Sequence, residues 1–252
     1  WLSLSNTYGS NNAEITVTVN SANAATTDRT AVITVTGSDG SKRTIQVTQS
    51  GTIGTDLSNG LIAYYPFNGN ANDESGNGNH GQLKNTSEFV DGVKDKAVRV
   101  ISCGYTNPCG GRILFPSFQF NSMNQFTISL WVKEESQNCQ DGEGYIFFGD
   151  HGNGHISILH SPGNNDSIYF SVGKNKTATV KFNSLNKWQH YTLVYNNSLA
   201  KAYIAGSLVA SFTDNVFAAT SDGGLSTHWW WSRTTSTRLT GAFDEVRIYN
   251  RA

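Results

Sequence analysis

Short runs of β-branched and aromatic residues recur along the chain, separated by turns rich in Gly and Asn, and no run has a helical period. From Gly60 onward the runs come at steady spacing, as in Phe126–Val132, Trp188–Tyr195 and Phe243–Tyr249. Evenly spaced short strands are typical of a β-sandwich or jelly roll. The pattern therefore predicts an all-β protein.

The individual strands follow from alternating apolar residues between turn signals. Before residue 52 we predict strands at Glu14–Asn20, Ala31–Gly37 and Thr44–Gln49, with a two-residue turn at Asp39-Gly40. After residue 59 we predict strands at Leu61–Phe67, Phe126–Val132, Tyr145–Phe148, Ile156–His160, Ile168–Val172, Thr179–Phe182, Trp188–Tyr195, Ala202–Ile204, Leu208–Phe212, Leu225–Trp231 and Phe243–Tyr249. Three strands alone leave an apolar face uncovered, so the first group needs more strands than it shows.

Charge and hydropathy argue against a nucleic-acid partner and against a membrane-spanning segment. Charged residues make up 15% of the chain, where about a quarter is usual, and the formal net charge is −1. The sequence contains no cluster of Lys and Arg that would neutralise phosphates, so we expect no nucleic-acid partner. It also contains no apolar run long enough to cross a bilayer, so we expect no membrane-spanning segment.

The first fifty residues resemble the BACON family, small immunoglobulin-like modules that are common in surface glycan-handling proteins. The resemblance lies in Trp1–Ser5, Arg29–Gly37 and Ile45–Gly51. It covers the later half of the family pattern and implies a partial module at residues 1–51 that acts as a spacer within a larger multidomain chain. A Gly/Ser/Thr-rich stretch at residues 52–59 is the predicted linker.

The remainder, residues 60–252, resembles the laminin-G-like/concanavalin A-like superfamily. Segments Gly60–Gly81, Phe126–Val132, Trp188–Tyr195 and Gly241–Ala252 match it in order and spacing. The resemblance implies a concanavalin A-like jelly-roll sandwich after the partial immunoglobulin-like module. Lectins, adhesins, glucanases and protein-binding modules share this fold, so function must be argued from individual residues.

The carboxylates do not form the pattern that glycoside hydrolysis needs, which is two acids facing each other across the bond. Laminarinase-type relatives carry such acids along one strand as Glu-x-Asp-x-x-Glu, and no Glu of this chain is followed two positions later by Asp. The acids near predicted strands are Glu134, Glu135, Asp150, Asp244 and Glu245. Asp244 and Glu245 are adjacent and should point to opposite faces of an extended strand. We therefore expect a protein that is not an enzyme.

A Gly-rich loop from Asn68 to Gly81 is dense in Asn and Asp side chains. Such oxygen atoms suit Ca²⁺, which takes six to eight oxygen ligands in flexible geometry. The superfamily resemblance implies that this loop meets the Asp of the last strand around a structural calcium. The predicted ligands are Asn68, Asp73, Asn77, Asn79 and Asp244. The alternative is a surface loop whose Asx turns satisfy its own backbone.

Three consecutive tryptophans at residues 229–231 are the most unusual feature of the chain. On a strand, neighbouring side chains point to opposite faces, so at least one indole should face outward, where it could stack on a sugar ring. The alternative is that the run packs the core. The predicted carbohydrate-binding residues are Trp229, Trp231, Arg233, Asp150, His151 and Asn153.

The histidine and cysteine patterns leave alternatives open. His151 and His155 have metal-ligand spacing, but the intervening Gly-Asn-Gly favours histidines in a turn over a zinc site. Cys103 and Cys109 could close a short disulfide ring, Cys139 could compete for either, or all three could be thiols.

The sequence as a whole predicts a non-catalytic carbohydrate-binding protein that is extracellular or on the cell surface. Its expected partner is a glycan or a glycoprotein. The alternative is a protein-binding adhesin or a structural or receptor-binding component, such as part of a phage tail. An outward aromatic flanked by polar loops favours the first, and a broad apolar patch favours the second.

Overall fold

The structure is a computed structural model of the chain and is nearly all β. It describes residues 1–23, 25, 27–50, 57–85, 87–101, 110–136, 143–150, 154–160, 167–174, 177–216, 223–228 and 240–252, with the backbone alone at 143, 144, 150, 227 and 228. Within these ranges the only helical element is a 3₁₀ turn at Phe120–Ser122. No helix in the described part of the chain is long and apolar enough to span a membrane.

Two compact units divide the chain at Asn59/Gly60. The first unit holds two antiparallel pairs, β1 with β2 and β3 with β4. Their bounds are β1 Leu2–Leu4, β2 Val17–Val19, β3 Arg29–Thr36 and β4 Lys42–Gln49. Val32 is 62% exposed and Ile45 is 55% exposed, as expected of strands with little to cover them.

The β3–β4 turn differs from the predicted two-residue turn. Gly37 N–H donates to Ser41 O, so residues 38–40 form the loop, and Gly40 has φ +83° while Asp39 does not have a positive φ. A three-residue hairpin loop needs the left-handed conformation only at its last residue, and Gly supplies it there. The Asp39 carboxylate accepts a hydrogen bond from Ser41 N–H instead.

The second unit is a sandwich of two antiparallel sheets. The eight-stranded sheet has the order β17-β16-β15-β10-β19-β8-β7, with β5 also paired to β19. Its strands are β5 Leu61–Tyr65, β7 Ser87–Asp91, β8 Lys96–Val100, β10 Gln125–Glu134, β15 Trp188–Asn196, β16 Leu199–Ile204, β17 Ser207–Thr213 and β19 Gly241–Tyr249.

The seven-stranded sheet has the order β14-β13-β12-β11-β18-β9-β6. Its strands are β6 Gln82–Lys84, β9 Arg112–Phe115, β11 Glu143–Asp150, β12 Gly154–His160, β13 Ser167–Gly173, β14 Thr177–Lys181 and β18 Gly223–His228. The predicted strand Leu225–Trp231 thus corresponds to β18, and residues 229–231 lie outside the described residues.

The core forms where the two sheets face each other. Alternate residues of β10, such as Phe126 and Leu130, are fully buried, and so are Phe148 of β11 and Phe170 of β13. Phe120 packs edge-on against Phe126 and lies 5.0 Å from both the Phe126 and Phe148 ring centroids. These contacts join the sheets, so the inner face of each strand is fixed by its apolar residues.

A β-bulge in β19 overturns the prediction that Asp244 and Glu245 point to opposite faces. Ser129 of β10 pairs with Arg247 and Trp131 pairs with Asp244, so β19 carries one extra residue between them. Glu245 has φ +52°, and Phe243 and Val246, which flank the Asp244–Glu245 pair, are both core residues. An extra residue lets consecutive side chains share one side of a sheet. Both carboxylates consequently lie on the outer side.

Candidate functional site

The outer face of the seven-stranded sheet, opposite the core, is unusually well buried. In β12 every residue is buried, although alternation turns only Ile156, Ile158 and His160 toward the core. The outward residues of this face include Phe147, His155, Ser157, Leu159 and Ser171, which are between 0% and 6% exposed. Antiparallel sheets usually leave their outer face in water, so this face is a candidate site.

Strand register arranges these outward residues in rows. Gly149, His155 and Gly173 lie side by side on β11, β12 and β13, and in the next row Ser157 lies beside Phe147 and Ser171. The His155 imidazole stacks on Phe147 with ring centroids 5.3 Å apart and planes inclined by 17°. Glycines lie on both sides of His155, and at Gly173 a Cβ atom would lie 2.3 Å from Asn215 O.

The strands that lead to the predicted carbohydrate-binding residues reach opposite ends of this face. His151 and Asn153 lie outside the described residues, and so do Trp229, Trp231 and Arg233. Their attachment points are described: β11 ends at Asp150 next to the Gly149 row, whereas the last residue of β18, His228, pairs with Glu143 at the other end of β11. Seven residues of strand span roughly 23 Å, so the two segments leave the sheet far apart.

The Asn68–Gly81 loop is organised by Asp73. One Asp73 oxygen accepts hydrogen bonds from the Tyr64 and Ser75 N–H groups, both at 2.9 Å, and the other accepts from Asn79 N–H at 2.9 Å. Burial acts to raise the pKa of Asp73, but the hydrogen bonds from Ser75, Tyr64 and Asn79 outweigh it and lower the pKa. The side-chain amides of Asn77 and Asn79 donate to Ile62 O, so this part of the loop holds the start of β5.

Asp244 and Asn68 converge on a different element, the turn at residues 92–96. The Asp244 Oδ2 atom accepts hydrogen bonds from Val93 and Lys94 N–H at 2.7 and 3.0 Å, and Asn68 Oδ1 accepts one from Lys96 N–H at 2.9 Å. The other Asp244 oxygen, Oδ1, is buried and has no hydrogen-bond partner among the described residues. Burial raises the pKa of Asp244.

The predicted calcium ligands therefore fall into two groups. The orphaned, buried Oδ1 of Asp244 fits a hard cation, because an uncompensated buried carboxylate oxygen is costly. The carboxylate of Asp73 and the amides of Asn77 and Asn79 already bond to backbone groups, as in a loop that satisfies its own backbone. The described residues contain no group of three or more His, Cys, Asp or Glu placed to hold a metal, so backbone and amide oxygens would have to complete the site.

A buried polar cluster ties the two sheets together. Glu134 of β10 is 1% exposed, and its carboxylate contacts His160 Nδ1 at 2.6 Å and accepts the Tyr145 hydroxyl at 2.9 Å. Tyr191 donates to Ser184 beside it. Burial raises the pKa of Tyr145 well above its usual value. Glu134 is thus enclosed between the sheets and is not presented to a substrate.

The outer face of the eight-stranded sheet carries a second polar cluster. Glu245 accepts the Tyr64 hydroxyl at 2.6 Å and forms an ion pair with Arg247, whose guanidinium lies 4.2 Å from the Tyr64 ring centroid. Trp131 packs on His190, and burial, followed by Arg247, lowers the pKa of that imidazole. Glu245 is 7% exposed and Asp244 is 0% exposed, so these adjacent acids do not flank an open cleft.

The sequence analysis did not single out Ser157 and Ser171, which lie side by side on this outer face. Both lie in strands that were predicted, Ile156–His160 and Ile168–Val172, at the polar positions of the alternation. That alternation was the available signal, but pairing of the two serines depends on strand register, which becomes visible only in the folded sheet.

Solved structures similar to this chain are binding domains of larger proteins. Domain 4 of AbnA, a GH43 extracellular arabinanase from Geobacillus stearothermophilus, in complex with arabinotriose, is 25% identical, with 75% of this chain and 91% of that chain covered and a TM-score of 0.58. The binding domain of Paraclostridial Mosquitocidal Protein 1 is 20% identical, with 78% and 50% covered and a TM-score of 0.62.

A third structure concerns botulinum neurotoxin type C, whose cell entry depends on interaction with two ganglioside molecules. It is 15% identical, with 78% of this chain and 49% of that chain covered and a TM-score of 0.59. The mosquitocidal and botulinum matches show the fold alone, and this chain spans about half of each of those chains. No curated protein sequence is significantly similar to the chain.

Two family models match the chain in the order that the resemblances implied. Residues 1–50 match the BACON model, described as a putative binding domain, and residues 107–252 match the concanavalin A-like lectin/glucanase model. Together with the observed sandwich, these matches confirm the predicted fold. The second model covers more than half of the chain's 252 residues, so the chain belongs to the concanavalin A-like lectin/glucanases superfamily.

Proposed function

We propose that the second unit is a non-catalytic carbohydrate-binding module of an extracellular or cell-surface protein. The observation that carries this proposal is the similarity to the arabinanase domain in complex with arabinotriose, which extends over 91% of that domain. The burial of Glu134, Asp244 and Glu245 agrees with binding rather than hydrolysis, since glycosidases hold two carboxylates open to the bond. The expected partner is a glycan or a glycoprotein.

The site that we propose is the outer face of the seven-stranded sheet with the segments at its two ends. Asp150, His151 and Asn153 follow the Gly149 row, and Trp229, Trp231 and Arg233 follow β18. Because these segments start roughly 23 Å apart, an extended oligosaccharide across the face suits them better than a single sugar. An indole can stack on a sugar ring, and the polar side chains can bond its hydroxyls.

A structural calcium at Asp244 is part of this proposal. Its support is the buried, unpartnered Asp244 Oδ1 next to the turn at residues 92–96, which Asn68 also contacts. Asp73, Asn77 and Asn79 were proposed as ligands from the sequence, and their observed hydrogen bonds favour a supporting role in the loop. A bound cation would offset the cost of the buried charge on Asp244.

Separate Trp229→Ala and Trp231→Ala variants test the site. Replacing the indole that stacks on the glycan should lower affinity about tenfold, because one good aromatic contact contributes about 0.5–1.5 kcal/mol beyond area burial. The melting temperature should hardly change in that variant, because an outward indole does not support the core. Affinity is measured by calorimetry and stability by thermal unfolding.

Trp188→Ala is the control, since this half-buried Trp begins β15 of the other sheet. If both Trp variants unfold, or if neither changes affinity for a glycan that the wild type binds, the proposed platform is refuted. Retention of a protein rather than any glycan would instead support the adhesin alternative.

A further inference from the structure

We infer that Arg112 and Lys84 form a subsite for the oxyanion of an acidic sugar, a carboxylate or a sulfate, on the outer face of the seven-stranded sheet. This inference rests on the proposed function and adds to its site two residues that the sequence analysis did not select. It follows from the pairing of β6 with β9, from the lack of an acidic partner and from the position of both residues beside β18.

The two cations lie side by side at one edge of the sheet. Lys84 of the edge strand β6 is directly paired with Arg112 of β9. Ile113, the next residue of β9, belongs to the core, so Arg112 points outward, and its cross-strand partner Lys84 shares that face. Both residues are half-buried rather than enclosed, so a ligand in solution can contact them.

No acidic side chain in the described part of the chain compensates the charge of Arg112. Its Nε atom is buried without a hydrogen-bond partner, and the strands β6, β9 and β18 contain no Asp or Glu. By contrast, Arg99 of β8 contacts two carboxylates at 2.7 Å, and Arg247 of β19 pairs with Glu245. Burial lowers the pKa of Arg112, because desolvation disfavours its charged form. An anion supplied by a ligand would offset that cost.

The ligand class follows from the chemistry of the pair. A guanidinium presents parallel N–H donors that fit the two oxygens of an oxyanion, and the adjacent ammonium adds a second positive charge. Like charges directly opposite each other destabilise a sheet, and a neutral sugar would leave both uncompensated. A Lys on an edge strand often serves to prevent pairing with another sheet, but Arg112 lies one strand further in, where that reason does not apply.

The pair lies at the end of the face from which the tryptophan segment continues. β9 runs antiparallel to β18, with Ile113 beside Leu225. Arg112 is therefore level with the residue that follows Leu225, and residues 229–233 come directly after the end of β18. This arrangement suits a glycan that stacks on an indole of that segment while its oxyanion contacts Arg112.

The test measures, by calorimetry, the affinity for acidic glycans and for their matched neutral counterparts. The acidic probes are oligogalacturonate, sialyllactose and a sulfated galactan oligosaccharide, and the neutral ones are the methyl ester, lactose and the unsulfated oligosaccharide. We expect the wild type to bind at least one acidic probe about tenfold more tightly than its counterpart, and this preference should shrink in high salt.

The variant Arg112→Gln should remove the preference and leave the affinity for the neutral counterpart unchanged. Lys84→Gln should reduce the preference about threefold, because an ammonium at an exposed edge contributes less than the guanidinium fork. Neither variant should lower the melting temperature, since each removes one of two adjacent like charges. Lys201→Gln is the matched control, because it removes a half-buried cation from the outer face of the other sheet, and it should keep the preference.

Binding of neutral glycans without preference for any acidic probe overturns this inference while the proposed function stands. A preference that survives in Arg112→Gln, or in Lys84→Gln should the first variant unfold, does the same. Absence of binding by the wild type to every probe, arabinotriose included, overturns the proposed function and this inference together.

Discussion

Two carboxylates in the second unit, those of Asp73 and Asp244, accept their hydrogen bonds from backbone N–H groups. Asp73 was predicted from the density of Asx residues in its loop, and the structure shows its oxygens bonded to the Tyr64, Ser75 and Asn79 N–H groups. Sequence identifies such a residue by type, whereas its partners depend on how the loop folds back on β5. Sequence alone does not distinguish an Asp73 that organises the loop from an Asp73 that binds calcium.

The variant Asp73→Asn tests that role through the pH dependence of the free energy of unfolding. The pKa of Asp73 is lowered from 3.8, so the folded state favours the ionised carboxylate. The stability it contributes is present above the unfolded pKa and is lost as the pH falls through the lower, folded value. We expect Asn to lower the free energy of unfolding at pH 7 by about 2 kcal/mol and to flatten the loss of stability below about pH 4.

Denaturant unfolding between pH 2 and pH 7 measures both effects. Asp39→Asn, in the exposed β3–β4 turn of the first unit, is the control and should leave the second unit's transition unchanged. An Asp73→Asn protein with wild-type stability and an undiminished acid transition would contradict the assignment.

At the scale of elements, long strands with strong alternation were predicted, and several short strands were not. β10, β15 and β19 were found because long apolar alternation is visible in sequence. β6, β7, β8 and β9 are three to five residues long and were missed, because their stability comes from neighbours such as β19 rather than from their own pattern. The bulge at Glu245 was also missed, because the local sequence carries no signal for an extra residue. The extra residue is visible only in the pairing register of β10 with β19.

The contact between β19 and the turn at residues 92–96 carries the calcium prediction. If a cation binds Asp244, a chelator should lower the melting temperature of the wild type, and added calcium should restore it. The reason is that a ligand that binds only the native state stabilises the fold by about 2.7 kcal/mol at a hundred times its Kd. Asp244→Asn should melt at the same temperature with and without chelator. Differential scanning calorimetry measures both proteins.

The pKa of Asp244 gives the calcium experiment an internal check. Burial raises it, so in chelated protein the ionised carboxylate is unfavourable and stability should fall as the pH rises through the folded pKa. Calcium should suppress that fall. A wild-type melting temperature that is indifferent to chelator would contradict a structural calcium, and Asp244 would then be a buried acid held by backbone N–H groups such as those of Val93 and Lys94.

At the scale of the whole molecule, the sequence predicted the sandwich because alternating apolar residues, which form the inner faces of the two sheets, recur in many strands. The binding-site residues stay predictions, because a site on a sheet face joins residues that only strand register brings together. Ser157 and Ser171 are fourteen positions apart in sequence and directly paired in the sheet. Residues within 150–153 and 229–233 were predicted together as carbohydrate-binding residues, and the register of β11 with β18 starts these two segments at opposite ends of the face.

The central claim, that this chain binds carbohydrate, is tested most directly by an array of neutral and acidic glycans probed with the intact 252-residue chain. We expect retention of at least one class of oligosaccharide, with a Kd in the micromolar to millimolar range, of the order that one or two aromatic contacts provide. Failure to retain any glycan, at protein concentrations that would detect millimolar binding and with calcium present, would contradict the account.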